Sequence, residues 1–230
     1  MTAAAMKQLA LDIMPPPAPT LDNFVPGRNS ELVAALHALA NGTSKERFIY
    51  LWGASGSGRS HLLRAVADAA LRNGRRMAWS DAGAAEFDAA EDAFAVADDV
   101  HLFDAAAQIA LFNLHNRIHG GTGVLIVSGD AAPAQLALRA DLVTRLASGL
   151  VYHVHGLNDE EKAAALRRHA DTRGFQLSQE VAAYLLRHAP RDMPSLLALL
   201  DALDRHSLET KRAITVPLLR ELLEVGSKTS

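Results

Sequence analysis

The sequence predicts an α/β protein, a doubly wound parallel β-sheet flanked by helices, with a small all-helical domain closing the chain. Three observations carry this. From residue 48 to residue 154 short apolar runs alternate with stretches of helical periodicity, the order that builds parallel strands joined by helical crossovers. A glycine-rich turn, Gly53-Ala-Ser-Gly56-Ser-Gly58-Arg59-Ser60, stands between the first strand and the first long helix of that series. From Gly156 onward the pattern is helical only.

Composition sets the outer bounds. At 230 residues the chain fits one large or two small domains. A net charge of −3 argues against a strongly basic nucleic-acid binder. The absence of cysteine excludes disulfide and thiolate chemistry and agrees with a reducing compartment. No run approaches the ~20 apolar residues of a membrane span, and the N-terminus lacks a signal-peptide pattern, so a cytoplasmic protein without membrane association is expected.

Taken in order, residues 1–20 read as a tail: Lys7-Gln8-Leu9-Ala10-Leu11-Asp12-Ile13, then the spacer Pro15-Pro16-Pro17-Ala18-Pro19. Such a tail is either an ordinary disordered terminus or a short docking peptide with Leu9, Leu11 and Ile13 as anchors and Gln8 supplying polar contacts. Residues 21–155 form the expected base. Phe24 and Val25 lie in a turn-rich segment placed either to cover a nucleotide base or to seal a core edge. An amphipathic helix follows over 30–40, with Ser30 as its expected N-cap.

The apolar run 48–52 then enters the glycine turn. Gly53 and Gly58 stand at the spacing of the G-x-x-x-x-G-K-[ST] loop, whose backbone N–H groups face phosphate oxygens. Gly53, Ser55, Gly56, Ser57, Gly58, Arg59, Ser60 and His61 are the candidate nucleotide-binding set, with the Ser60 hydroxyl a candidate Mg²⁺ ligand. The helix that follows adds its positive end. A plain strand-to-helix turn is the competing reading, weakened by the strand and helix on either side. Arg59 replaces the lysine of the motif with a broad planar fork, a change that binding tolerates better than hydrolysis.

A second strand is expected over 75–80, a polar helix or connection over 81–92, and a buried strand over 93–97 that ends in Asp98-Asp99. Carboxylates at the C-terminal end of a parallel strand sit where such sheets place their ligands. Asp98 is then a candidate metal residue, holding Mg²⁺ through water, and Asp99 a candidate catalytic residue that orients or deprotonates the attacking water. The alternative is a solvated loop, and His101 reads as a loop residue. A helix over 103–119, with Ile109, Phe112, Leu114 and Ile118 as its apolar set, ends at Gly120-Gly121. The run 124–127 leads to Ser128-Gly129-Asp130, which places Asp130 either beside the γ-phosphate region or as the cap of a turn. A helical piece over 140–146 carries Arg145, and a strand follows at 150–154. Residues 156–230 are the helical domain: Asn158 with Glu161 as a capping box, Ser178 as a second cap, helices over 193–208 and 215–225, and Arg191 at the start of the first of these.

Six segments together resemble AAA+ proteins of the bacterial replication-initiator family. Asp22-Asn23-Phe24-Val25 with Gly27 is similar to the family's N-linker, 53–60 to its Walker A loop, Asp98-Asp99 to its Walker B pair, and Ser128-Gly129-Asp130 to its first sensor. Leu142-Val143-Thr144-Arg145-Leu146 resembles the arginine-finger segment, and Pro190-Arg191-Asp192-Met193 the second sensor. The resemblance implies a P-loop AAA+ base, a helical lid, and ADP or ATP with Mg²⁺ held in part by Arg191. Within the family the chain is most similar to the regulatory branch that inactivates the initiator DnaA: no stretch after Val225 accommodates a helix-turn-helix DNA-binding domain, and Gln8-Leu9-Ala10-Leu11 resembles that branch's sliding-clamp motif.

The resemblance thus implies negative regulation of replication initiation. The implied partners are DnaA, whose bound ATP would be hydrolysed with the catalytic help of Arg145, and the polymerase III sliding clamp (β subunit). DNA is met mainly through the clamp, and a homo-oligomer is compatible. An autonomous P-loop ATPase or kinase, and a loader or scaffold module, are the alternatives.

Overall fold

A computed structural model describes residues 18–80, 89–190 and 192–227. They fall into two compact units that divide between Leu157 and Asn158. In the first, β1 (Phe48–Trp52), β2 (Met77–Ser80), β3 (Phe94–Ala97), β4 (Val124–Gly129) and β5 (Leu150–His153) form one all-parallel sheet in the order β2-β3-β4-β1-β5. Because β1 lies between β4 and β5 while its chain continues to β2, the connections diverge between β1 and β4. In such sheets the crevice at the carboxyl ends beside that point is where ligands bind.

Both faces of the sheet are covered, which is why the strands read as unbroken apolar runs. Side chains alternate between the faces. Ile49, Leu51, Phe94, Val96 and Ile126 pack under α1 (Ser30–Ala40) and α2 (Arg59–Arg72) with Leu36, Leu62, Leu63 and Val66. Tyr50, Ala95, Ala97, Leu125 and Val127 pack on the other face under α3 (Ala105–Gly120) and α4 (Ala140–Leu146) with Leu111, Leu114, Ile118 and Leu142. Arg47, just before β1, fixes the end of α3: its Nη1 donates to the carbonyls of Ile118 at 3.1 Å and Gly121 at 2.7 Å, a cation at the negative pole of that helix.

Several elements differ from the sequence expectation, each for a local reason. Asn29 rather than Ser30 occupies the N-cap position of α1, yet its side chain does not cap. It reaches 126 residues along the chain instead, donating from Nδ2 to the His155 carbonyl and accepting the His155 N–H through Oδ1, both at 2.8 Å. α3 starts at Ala105, not residue 103, because the Asp104 carboxylate caps it by accepting from the Ala107 N–H. Within α3, Ile109 is exposed and Leu111 is buried in its stead. His101 sits in a 3-10 turn, Val100–Leu102, rather than a loop. The stretch 81–88 lies outside the described residues.

In the second unit, α5 (Asp159–Arg173) opens on a complete capping box between Asn158 and Glu161 and ends at Gly174 in the left-handed region. Ser178 caps α6 (Gln179–His188), Asp192 caps α7 (Met193–Thr210), and α8 (Val216–Ser227) closes the set. Leu166, Leu185, Leu196, Leu200, Leu203 and Leu219 form its own core. Asp201 of α7 ties α5 in place, pairing with His169 Nε2 at 2.6 Å and Arg173 Nη2 at 2.8 Å. No helix among the described residues is long and apolar enough to cross a membrane.

Candidate functional site

The phosphate loop follows β1 directly. Gly53 packs so closely that a Cβ there would stand 2.5 Å from the Val154 carbonyl. The Ser57 N–H turns back to the Ala54 carbonyl, and Gly56 and Gly58 take positive φ values of 75° and 102°. These turns deliver the chain into α2 with no side-chain cap at Gly58, so the N–H groups of the first turn, at Arg59, Ser60 and His61, face the open end of the loop. The cradle suits an anion on the side-chain evidence too. Ser57 Oγ and Arg59 Nε and Nη1 are buried and, among the described residues, have no hydrogen-bond partner. Ser55 is exposed on the rim, and Ser60 is half-buried in the first turn.

The N-linker lies across this loop. The Phe24 ring would be 2.7 Å from a Cβ at Gly58 and stands 5.5 Å from the His61 imidazole. His61 Nε2 lies 3.1 Å from the Thr20 carbonyl, and burial, with Arg64 adding to it, holds the imidazole below its ordinary pKa, against that hydrogen bond. Val25 is half-buried beside Phe24 in the chain.

At the ends of β3 and β4 the carboxylates meet the loop. Ser128 Oγ donates to Asp98 Oδ1 at 2.5 Å and accepts the Asp99 N–H at 2.9 Å, which fixes Asp98 in a buried position from which its carboxylate could hold a metal ion through water. Asp99 adopts φ 51°, a left-handed conformation rare for a non-glycine residue, and this turns its carboxylate toward α2. There Oδ1 stands 3.0 Å from Arg59 Nη2 in an ion pair that is not aligned as a hydrogen bond. His101 Nδ1 lies between Asp99 at 3.9 Å and Asp130 at 3.8 Å.

Tyr50 completes the floor. Its hydroxyl donates to the Ala131 carbonyl at 2.8 Å, and burial first, then the Asp130 charge, pushes its pKa far above the ordinary value. Gly129 is required beside it, since a Cβ there would stand 2.0 Å from the Tyr50 hydroxyl.

Arg145 is elsewhere. α4 runs from the end of β4 back to the start of β5, so its last turn lies at the edge of the sheet opposite the phosphate loop. There the guanidinium carbon sits 5.7 Å over the Phe112 ring, half-buried and without a carboxylate partner among the described residues. Below it His115 is 3% exposed, and neither ring nitrogen has a partner among the described residues. Burial, and then the charges of Arg145 and His119, press its pKa down to about 4.

A base neutral in the fold but protonated when unfolded takes up its proton only on unfolding, so stability is complete above pH 6.5 and declines as pH falls from there through about 4. Relative to His115→Phe, the wild type is expected to lose ~3 kcal/mol over that window. Urea unfolding at pH 7 and pH 4 measures it, and equal pH dependence in both proteins would refute it.

Of the sequence-derived residues, the structure brings together Gly53, Gly56, Ser57, Gly58, Arg59, Ser60, His61, Phe24, Asp98, Asp99 and Asp130. It sets Arg145 apart from them. Arg191, Gln8, Leu9 and Leu11 lie outside the described residues. Two participants, Asn29 and His115, were not among the candidates, and Ser128 stood only as part of the sensor segment. Ser128, not Asp130, makes the contact with Asp98, and its signal is a lone hydroxyl ending an apolar run. Asn29 and His115 carry no local signal, because their roles depend on contacts distant in sequence.

A glycine-rich loop after β1, paired acids after β3, a polar end on β4 and a helical unit after β5 give the arrangement of the AAA+ fold. Comparison with known proteins narrows this. Residues 159–223 match the family model described as the lid domain of Hda. Domain III of the replication initiation protein DnaA from Thermotoga maritima superposes with a TM-score of 0.66 at 19% identity, covering 90% of this chain and 96% of that one. AMPPCP-bound DnaA from Aquifex aeolicus gives 0.63 at 22% identity, covering 85% and 70%. The Thermotoga maritima RuvB branch migration motor gives 0.62 at 14% identity, covering 93% and 72%. The chain therefore has the fold of these AAA+ proteins, and its residues 159–223 are similar to the Hda lid domain.

Proposed function

We propose that this chain is a negative regulator of chromosomal replication initiation. It holds ADP or ATP with Mg²⁺ in its own cradle, docks on DNA-loaded sliding clamps through Gln8, Leu9 and Leu11, and inserts Arg145 into the nucleotide site of ATP-bound DnaA. The observation that carries this reading is the place of Arg145. A cation half-exposed over an aromatic ring at the far edge of the sheet serves nothing in its own cradle and is available to a neighbour. The Hda-type lid and the DnaA-like fold support the same choice of partner.

In the chain's own site, Gly56 to Ser60 would present N–H groups to the phosphates, Asp98 and Ser60 would hold the metal's shell, and Phe24 and Val25 would cover the base. Mg²⁺ supplies neutralisation of phosphate charge when bound. Asp99 is held by Arg59, which removes the residue otherwise placed to orient a water, so own turnover is weak. Arg59→Lys withdraws the fork and frees Asp99. Steady-state ATP hydrolysis by this variant is expected to rise several-fold, and an unchanged rate would contradict the role given to the Arg59–Asp99 pair.

Tethering lets a weak peptide suffice, because it raises the local concentration at active replication sites to the millimolar range typical of short linkers. The test is hydrolysis of ATP prebound to DnaA, with and without clamp on DNA. The Gln8/Leu9/Leu11 triple alanine is expected to lose the clamp-dependent part of the stimulation and keep the rest. Stimulation by clamp that survives this variant would rule the tether out.

A further inference from the structure

The buried His115 and the Arg145 guanidinium beside it share one cleft. It lies between α3, α4 and the starts of β1 and β4, is lined by Phe48, Tyr50, His115, Leu125, Arg145 and Leu146 among others, and measures about 200 Å³ including its open mouth. A neutral imidazole has one nitrogen that must accept a hydrogen bond, and a buried acceptor left empty is costly. Yet neither His115 nitrogen has a partner among the described residues although the residue is 3% exposed. The rings packed around it, Phe48 at 4.3 Å and His119 at 6.2 Å between centroids, hold its plane. Of the other hydrogen-bonding side chains lining the cleft, Tyr50 gives its only proton to Ala131. That leaves Arg145, whose guanidinium stands at the mouth over Phe112, one helical turn before His115 on α3.

We propose that His115 is a positioning residue that gives Arg145 a second, inward seat, in which one guanidinium N–H reaches into the cleft to an imidazole nitrogen. The finger then alternates between two positions: outward over Phe112, where it can meet a partner's phosphates, and inward on His115, where it is idle. Arg145 is half-buried at the mouth, so the tip of the fork enters and the stem stays at the surface. The seat must be neutral to accept, and the low pKa of His115 keeps it so at cellular pH. This inference rests on the trans role assigned to Arg145. It adds that the finger's availability is an equilibrium set within this chain, so the apparent affinity for the partner is scaled by the outward fraction.

Two measurements on the full-length chain test it. Long-range ¹H–¹⁵N spectra of the histidine rings, with His115 assigned by His115→Gln, read the seat directly. Its accepting nitrogen is expected to shift to the value of a free acceptor in Arg145→Leu, and His115 signals identical in the two proteins would overturn the proposal. In DnaA-stimulated hydrolysis, His115→Phe removes the inward seat. The concentration of this chain giving half-maximal stimulation is expected to drop ~10-fold at unchanged maximal rate. His115→Gln, which keeps an acceptor, is expected to behave as wild type. An unchanged half-maximal concentration for a folded His115→Phe would overturn the proposal as well. If Arg145→Ala left stimulation intact while the ring signals still responded to Arg145→Leu, the trans function would fail and the seat would stand.

Discussion

Arg145→Ala is expected to slow the hydrolysis of DnaA-bound ATP by roughly 10³-fold at saturating clamp and DNA, while leaving nucleotide binding by this chain unchanged. A guanidinium delivered to a transferring phosphoryl group neutralises charge that grows in the transition state, and such groups are worth about 10³ to 10⁵ in rate. The lower end of that range is taken as the expectation. Lysine at 145 is expected to restore little of the rate, because a compact ammonium cannot bridge two oxygens as the planar fork does. The substitution is safe for the fold: Arg145 has no ion pair among the described residues, and α4 is anchored by the buried Leu142 and Leu146. Single-turnover rates compared with thermal melts separate the two effects, and a rate within about twofold of wild type would remove Arg145 from the chemistry.

Gly58→Val is the second large effect, and it acts on this chain's own cradle. Gly58 has φ 102°, and a Cβ at that position would stand 2.7 Å from the Phe24 ring. A β-branched residue must leave that conformation or displace the N-linker, and either change moves the N–H groups that open α2. Backbone strain of this kind costs ~1–3 kcal/mol before the lost phosphate contacts are counted, so ADP affinity is expected to fall by at least ~100-fold. Gly120→Ala, where a Cβ meets nothing within 4 Å, is the matched control. Titration with a fluorescent ADP analogue reads the difference. Equal affinity in Gly58→Val and wild type would show that the loop does not hold the phosphates.

The parts of this molecule that were legible in its sequence are those in which a short-range rule decides. The runs that became β1 and β4 were readable because a parallel sheet covered on both faces demands continuous apolar residues. The start of α5 was readable because Asn158 and Glu161 satisfy each other within one turn. The ends of α2 and α5 are closed by Gly74 and Gly174, both of which take positive φ. Where several alignments of the apolar stripe were nearly equivalent, as in the alanine-rich α3, the sequence pointed to Ile109 while packing chose Leu111.

The candidate site divides the same way. The glycines, Arg59 and Asp98 announce themselves by spacing. The pairing of Arg59 with Asp99 requires the left-handed turn at Asp99, and no composition rule foretells such a turn at an acidic residue. The Asn29–His155 clamp and the burial of His115 are products of tertiary packing and leave no periodic trace.

The central claim, that the ATP consumed belongs to the partner and the decisive cation to this chain, has a direct measurement. Prebind γ-labelled ATP to DnaA and unlabelled ADP to this chain, mix them on clamp-loaded DNA with excess unlabelled ATP as a trap, and follow release of labelled phosphate in a single turnover as the concentration of this chain rises. First-order release from the DnaA-bound pool, accelerating to a plateau with wild type and flat with Arg145→Ala, is the predicted result. Release that is insensitive to this chain, or that occurs only when label enters this chain's own site, would contradict it.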